Sequence, residues 1–430
     1  MKLFANRRRT GWLIAATVAV TLVGVLGVLN FTGAEKRIDR RITGSYEIAD
    51  PRFRRELGVL LGPPFVAGNR PGVLLNGDEI FPSMLAAIRS AEKSITFETY
   101  IYWSGDIGYQ FAAALADRAR KGVKVHVLLD WVGSAKIDES LLGAMTSAGV
   151  QVKKFHPPHW SNLGRLNNRT HRKLLVTDGR VAFTGGVGIA PEWTGNAQDP
   201  AHWRDTHFRI EGPVVAQMQA VFLDNWIKVS GEVLHGPDYF PELVAAGASE
   251  AQIFSSSPTG GSESMQLMYL MVIAAAKRTI DLSAAYFVPD DLSLRALLDA
   301  QARGVKLRIV VPGPHIDSET VRSASRARWG ALLAAGAVIA EYQPTMYHCK
   351  VLIVDGLLVS VGSTNFDNRS FRLNDEATLN IHDAAFAREQ TAIFEADLAK
   401  ARPVTFAAWS ARPLRERLAE RLASLIGSQL

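Results

Sequence analysis

The feature that most constrains this chain is a pattern that occurs twice. Residues 171–186 read His171-Arg172-Lys173-LLVT-Asp178-GRVAFT-Gly185-Gly186. Residues 348–363 read His348-Cys349-Lys350-VLIV-Asp355-GLLVSV-Gly362-Ser363. His, Lys, Asp and Gly fall at offsets 0, +2, +7 and +14 in both copies, 177 residues apart. Four matched offsets are very unlikely by chance. A repeat of this length means a repeated structural unit. Two His-x-Lys strands brought together make one site with two imidazoles and two ammoniums, a set suited to chemistry at a phosphate.

The repeat extends beyond the motif. Copy one begins near Gly77-Asp78 with a helical pattern through Met84, Leu85, Ile88 and Ala91, then a strand over Ser94–Ile101. Copy two has Leu267, Leu270, Met271 and Ala274, then Thr279–Ser283 and Tyr286-Phe287. A second helix in each copy runs into an apolar strand, Val125–Leu129 or Leu307–Val311. A third helix ends at a glycine turn, Gly149 or Gly336, as a left-handed cap requires. Strands alternating with amphipathic helices predict α/β layers. The expected fold is two similar α/β sandwich domains packed face to face, each with a central mixed sheet flanked by helices. Their pseudo-twofold axis passes near both His-x-Lys strands.

The expected boundaries are a basic amino terminus (1–10), a transmembrane helix (11–31), a linker (32–71), domain one (72–231), a Gly/Pro/Ser-containing linker (232–262), domain two (263–400) and an amphipathic carboxy-terminal helix (401–430). In that last helix Leu414, Leu418, Leu422 and Leu425 share helical spacing, with Arg415, Arg417 and Arg421 elsewhere around it. It is expected to pack on the domain surface, with a helix lying on anionic lipid as the functional alternative. Copy one is ten residues longer than copy two between turn glycine and histidine. The extra residues fall in His156-Pro157-Pro158-His159-Trp160 through Arg165 and Asn167-Asn168-Arg169, expected as a loop at the mouth of the site. His156 and His159 have no carboxylate or cysteine near them in sequence, so no metal site is expected.

Trp12–Phe31 is a run of 20 residues without a charge, the length that crosses about 30 Å of hydrocarbon as a helix. Thr32-Gly33-Ala34 is a poor cleavage site and the run is long for a signal peptide, so an uncleaved anchor is expected. Arg7-Arg8-Arg9 favours sending the rest of the chain across the membrane, while Lys36, Arg37, Arg40 and Arg41 compete. The lean is to an extracytoplasmic catalytic domain. Net charge is +6, which favours nucleic acid, anionic lipid or phosphate esters as partners without choosing among them. The single cysteine, Cys349, excludes an intramolecular disulfide and a Cys-based metal site. It reads as a small residue on a strand.

A phosphodiester needs charge neutralisation, a nucleophile and a proton for the leaving alkoxide. Lys173 and Lys350 supply positive charge to the non-bridging oxygens. One imidazole can attack phosphorus while the other donates and later accepts the proton. No metal or other cofactor is required by these groups. A histidine nucleophile needs its far ring nitrogen held by a carboxylate. Asp205 is the candidate in copy one, 34 residues after His171, and Glu376 in copy two, 28 residues after His348. Asp178 and Asp355 are expected to tie the motif strand to neighbouring backbone or turn. Asn365 can donate to a phosphate oxygen.

His-x-Lys-x4-Asp with a trailing Gly-Gly or Gly-Ser, twice, resembles the phospholipase D superfamily over about residues 75–400. Within it, Tyr286–Asp290 and Asp367–Glu376 resemble bacterial cardiolipin synthases, as does the membrane segment ahead of two motif domains. The resemblance implies a phosphatidyl group held on His171, with His348 as acid/base, and passed to phosphatidylglycerol in a bacterial inner membrane. Anionic phospholipids are then the substrates and nucleic acid is not a partner. A phospholipase D hydrolase releasing phosphatidic acid is the alternative, with a nuclease and an inactive membrane scaffold further away. Two departures stand out. Gly188 occupies the place where these synthases usually carry an Asn after the first Gly-Gly, and there is one membrane segment where many members have two.

Overall fold

The computed structural model describes residues 2–31, 38–44, 46–158, 167–258, 264–425 and 427. It opens with helix α1 (Lys2–Phe31), of which Thr10–Leu29 is long and apolar enough to cross a membrane. Helix α2 (Pro51–Leu61) follows, capped by Asp50, whose carboxylate accepts from the Arg52 amide.

The first half runs β1 (Val66–Leu75), α3 (Asn76–Ser90), β2 (Ser94–Thr99), α4 (Asp106–Arg120), β3 (Lys124–Asp130), α5 (Glu139–Ser147), β4 (Gln151–Phe155), β5 (Arg169–Thr170), β6 (Leu174–Thr177), β7 (Val181–Gly185), β8 (Thr206–Glu211) and α6 (Val214–Ser230). The second runs β9 (Ser249–Ser256), α7 (Ser264–Ala275), β10 (Thr279–Ala284), β11 (Phe287–Val288), α8 (Asp291–Ala302), β12 (Lys306–Pro312), α9 (Glu319–Ala334), β13 (Val338–Tyr342), β14 (Lys350–Val354), β15 (Leu358–Gly362), β16 (Phe366–Asp367), α10 (Asn368–Arg372), β17 (Asn374–His382) and α11 (Ala384–Leu398). β18 (Ala401–Val404), α12 (Phe406–Ser410) and α13 (Leu414–Leu425) close the chain.

The strands join in the order β18-β13-β12-β10-β14-β15-β17-β9-β1-β8-β7-β6-β2-β3-β4. Apart from β18 the order is symmetric about the β1–β9 pair, as a duplicated unit requires. Each half is mixed: β2, β3 and β4 are parallel, while β2–β6–β7–β8 is antiparallel. The sheet also folds upon itself. Leu174, Ala182 and Phe208 of one half and Val351, Val359 and Leu379 of the other lie in one buried cluster, so the halves share a core.

Three expectations at the boundaries differ from the structure. Ser249–Ser256 lies inside the stretch expected as a linker, yet it is β9, the twofold mate of β1. Its three serines and glutamate hid the strand pattern, and burial between β1 and β17 supplies what propensity lacks. β1 likewise starts at Val66, with Gly68, Pro71 and Gly72 breaking its pattern. The tail expected as one helix is a strand and two helices. Ala401–Val404 pairs antiparallel with β13, which exposed the edge it covers.

The motif itself is a hairpin. Asp178-Gly179 and Asp355-Gly356 all have positive φ and are the central residues of the tight turn within the three-residue connections that join β6 to β7 and β14 to β15. The Asp178 carboxylate also accepts from the amides of Glu92, Lys93 and Ser94, and Asp355 from those of Lys277, Arg278 and Thr279. Each aspartate thus ties the hairpin to the start of its neighbouring strand, β2 or β10. The glycine at offset +14 is required by close approach: a Cβ on Gly362 would lie 2.3 Å from the Ala377 carbonyl oxygen, and one on Gly185 2.6 Å from that of Thr206.

Candidate active site

The two motif strands deliver their histidines to the pseudo-twofold axis, and each histidine takes its carboxylate from the opposite half. His171 Nδ1 lies 3.0 and 3.1 Å from the two oxygens of Glu376. His348 Nδ1 lies 2.7 Å from Asp205 Oδ2. The expectation from sequence, Asp205 serving copy one and Glu376 copy two, is corrected to a crossed arrangement. The cause is backbone pairing at the axis. β5 runs parallel to the start of β17, so the His171 amide donates to the Asp375 carbonyl at 2.9 Å. On the other side Tyr347 bridges Arg204, and the His348 amide donates to the Arg204 carbonyl at 2.8 Å. The residue after each acceptor carbonyl is the carboxylate.

Carboxylates can only accept, so each Nδ1 carries the proton and each Nε2 keeps its lone pair, which at His348 faces Lys350 Nζ at 3.3 Å. Glu376 is held by the Ser363 hydroxyl, by Ser370 Oγ at 2.8 Å and by Asn374 Nδ2 at 3.3 Å. Ser370 is placed by the single turn α10, whose cap Asp367 accepts from the Ser370 amide. Asp205 is held by Trp193 Nε1 at 2.9 Å and the Thr206 amide at 2.8 Å. Neither Ser363, Ser370 nor Trp193 was found from sequence. Ser363 had a signal, since it stands at a motif position where copy one has Gly186.

The lysines complete the set. Lys173 Nζ donates to the His171 carbonyl and Lys350 Nζ to that of His348, both at 2.8 Å. Lys350 Nζ also sits 3.1 and 3.3 Å from the two ring nitrogens of His348. All four motif side chains are buried or nearly so. Burial pushes His171 down to about 4, with Lys173 and Lys350 adding to the effect against the pull of Glu376. His348 is lowered by burial and then by Lys350. Burial and the Lys350 ammonium bring Lys173 down to about 7, and burial lowers Lys350. Burial alone would raise Asp205 and Glu376, but the imidazoles and ammoniums outweigh it and hold both below the usual carboxylate range. The site is therefore short of negative charge, which a phosphate can supply.

Asn365 is buried, with its amide accepting from nothing: Oδ1 has no partner and only its backbone N–H is used, donating to Ser370 Oγ. At the equivalent place in the first half a side chain does not fit. A Cβ on Gly188 would lie 2.7 Å from Ile101 Cβ, so Ile101 fills the space. The aromatic surroundings also differ. The His171 ring meets Tyr100 edge-on at 5.3 Å, while His348 packs against the touching pair Trp193 and Trp203 at 5.3 and 5.4 Å. Of the loop expected at the mouth, residues 159–166, including His159, lie outside the described residues. Among the described residues no cluster of His, Cys, Asp and Glu is arranged to hold a metal ion.

Two interlocked His-Lys hairpins with crossed carboxylates define a phosphoryl-transfer centre of phospholipase D type. Residues 84–226 and 269–398 each match the family model for the cardiolipin synthase, phospholipase D-like domain, and the chain belongs to that family. It is 36% identical to a Geobacillus kaustophilus cardiolipin synthase over 85% of this chain and 74% of the relative. It is 35% identical to a Pseudomonas fluorescens cardiolipin synthase A over 91% and 80% of the two chains. Its fold is similar to that of Haemophilus influenzae phosphatidylserine synthase, with a TM-score of 0.67, 13% identity, and 88% and 100% of the two chains covered.

Proposed function

We propose that this protein is a membrane-bound phosphatidyltransferase that forms cardiolipin. The observation that carries the reading is the crossed pairing, in which both imidazoles are oriented and backed by a carboxylate while two lysine side chains lie beside them. His171 Nε2 attacks the phosphorus of a donor phospholipid. The P–O bond to the headgroup breaks, and the protonated His348 gives its proton to the departing alkoxide. Lys173, Lys350 and Asn365 hold the non-bridging oxygens. A hydroxyl of phosphatidylglycerol then attacks the phosphatidyl-His171 linkage, loses its proton to His348, and the P–N bond electrons return to Nε2. The phosphate charge raises the lysines and His348 again, so the proton needed for the first step arrives with substrate.

The anchor is α1, with Arg7-Arg8-Arg9 on the cytoplasmic side and the catalytic halves beyond an inner membrane. Its relatives' names and the apolar helix support the membrane reading. The test is product analysis: purified protein in vesicles of phosphatidylglycerol, with and without phosphatidylethanolamine, followed by mass spectrometry of the lipids. Cardiolipin with release of glycerol or ethanolamine is expected. Phosphatidic acid alone would make the protein a hydrolase. Protease protection in sealed vesicles of known sidedness tests the orientation.

A further inference from the structure

We propose that the carboxy-terminal helix α13 is an interfacial anchor that lies on the anionic bilayer and holds the active-site mouth against it. This deepens the phosphatidyltransferase reading and rests on it for the choice of lipid.

The helix sorts its side chains in an unusual way. Leu414, Leu418 and Leu422 are 78, 59 and 58% exposed. At about 100° per residue they form a stripe roughly 80° wide. The opposite face is buried through Glu420 and Ala423. Both glutamates of the helix are spent inward: Glu416 and Glu420 pair with Arg326 of α9 at 3.4 and 3.5 Å, and Glu420 with Arg412 at 2.6 Å. Arg415, Arg417 and Arg421 are exposed and carry no ion pair among the described residues. Arg415 and Arg421 flank the leucine stripe on either side. The outward face of α13 is thus apolar along its centre and purely positive along its edges, the pattern of a helix lying in a membrane interface.

A second copy of the chain is a poor occupant. Isologous pairing would set like arginines against each other, and three leucines offer far less than the ~800 Å² per partner of a stable interface. An anionic lipid surface complements both features.

The position connects the surface to the chemistry. Ala423 packs with Val288, Val321 and Ala324, a cluster that also supports Tyr286. Beyond the helix, the Gly427 carbonyl accepts from Asn368 Nδ2 at 3.3 Å. Asn368 opens α10, which carries Ser370 against Glu376. Helix α13 is therefore fastened to the wall of the site that Asn365 and Ser370 build.

The test uses the full chain with Leu418→Cys labelled by an environment-sensitive fluorophore; native Cys349 is buried and does not compete. In phosphatidylglycerol vesicles the label should shift to the blue and be quenched by lipids brominated near the headgroup. In phosphatidylcholine vesicles both effects should shrink, as they should after Arg415→Gln, Arg417→Gln and Arg421→Gln together. The emission of a water-exposed label on phosphatidylglycerol vesicles would overturn the proposal. So would an equal shift without vesicles together with a doubled protein mass, which would make a second copy the occupant. In parallel, Leu418→Ser with Leu422→Ser should lower turnover on vesicles about tenfold and leave turnover on water-soluble short-chain phosphatidylglycerol unchanged. Equal losses on both substrates would assign α13 a structural role only. The fluorescence arm reads docking even where no cardiolipin forms, so failure here and failure of the functional reading remain separable.

Discussion

The two half-sites carry one motif in two different settings. In the first, His171 is backed by Glu376, which is held by two serine hydroxyls and an asparagine amide, and it faces the phenol ring of Tyr100. In the second, His348 is backed by Asp205, which is held by an indole and a backbone amide, and it packs against a pair of tryptophans. The second half has Asn365 where the first has Gly188 closed off by Ile101. Even the residue ahead of each carboxylate inverts its charge. Arg204 pairs with Asp397 at 2.9 Å, whereas Asp375 faces Lys228 at 3.2 Å and Arg172 at 3.6 Å. Duplication made the geometry symmetric, while the supporting residues diverged. Under the proposed mechanism the difference has a use: a nucleophile needs a rigid, correctly tautomerised ring, for which the serine-braced glutamate is suited. A proton carrier needs a carboxylate that steadies the imidazolium, for which the short Asp205 contact is suited.

The comparison can be broken in several places. The largest effect is expected at the histidines. His171→Ala and His348→Ala should each lower turnover by roughly 10²–10⁴, measured as lipid product by mass spectrometry, with circular dichroism unchanged. Full activity in either variant would remove that half from the mechanism. The carboxylates come next. Asp205→Asn and Glu376→Gln leave the ring nitrogen a hydrogen-bond partner but remove the charge and free the tautomer. Each should lower turnover by about 10² or more, and the crossed pairing is checked by asking which histidine titrates differently by NMR: Glu376→Gln should move His171, and Asp205→Asn should move His348.

Those two variants also measure how far sequence alone reaches. The duplicated offsets were enough to find both histidines, both lysines and the α/β repeat, because the motif residues are local to one hairpin. The partners of the carboxylates were not legible. Asp205 follows His171 in its own copy, so sequence order pairs them, yet β8 and β17 flank the central β1–β9 pair, and the backbone at their starts pairs with the opposite half. Trp193 and Ser370 sit on a short turn and a single helical turn, whose direction depends on tertiary packing. β9 was hidden because its burial comes from pairing across the axis rather than from its own composition.

Smaller effects sharpen the asymmetry. Ser363→Ala leaves Glu376 with one hydroxyl fewer and should cost about 1–3 kcal/mol of stability, read from thermal or denaturant unfolding. Its first-half counterpart Gly186 cannot accept the reverse change, since a Cβ there would meet the Asp205 oxygens at 2.3 and 2.5 Å. Restoring the missing amide by Gly188→Asn should destabilise by about 1–3 kcal/mol through collision with Ile101, and Ile101→Ala in the same chain should recover part of that loss.

The pH dependence follows from burial. His171 is held at about 4 against an ordinary 6.5, so between those values the unfolded chain binds more protons than the folded one. Stability then falls as pH drops from 6.5 toward 4, and His171→Gln should flatten that slope in unfolding experiments. The acid limb of kcat/KM should correspondingly lie well below 6.5.

The division of labour between the halves is tested most directly by trapping the intermediate. The His348→Ala variant, mixed with a phospholipid whose headgroup is a good leaving group and quenched within one turnover, should carry a phosphatidyl adduct on His171 when its peptides are mapped by mass spectrometry, while His171→Ala should carry none. An adduct on His348, or cardiolipin forming with no adduct on either histidine, would contradict the account.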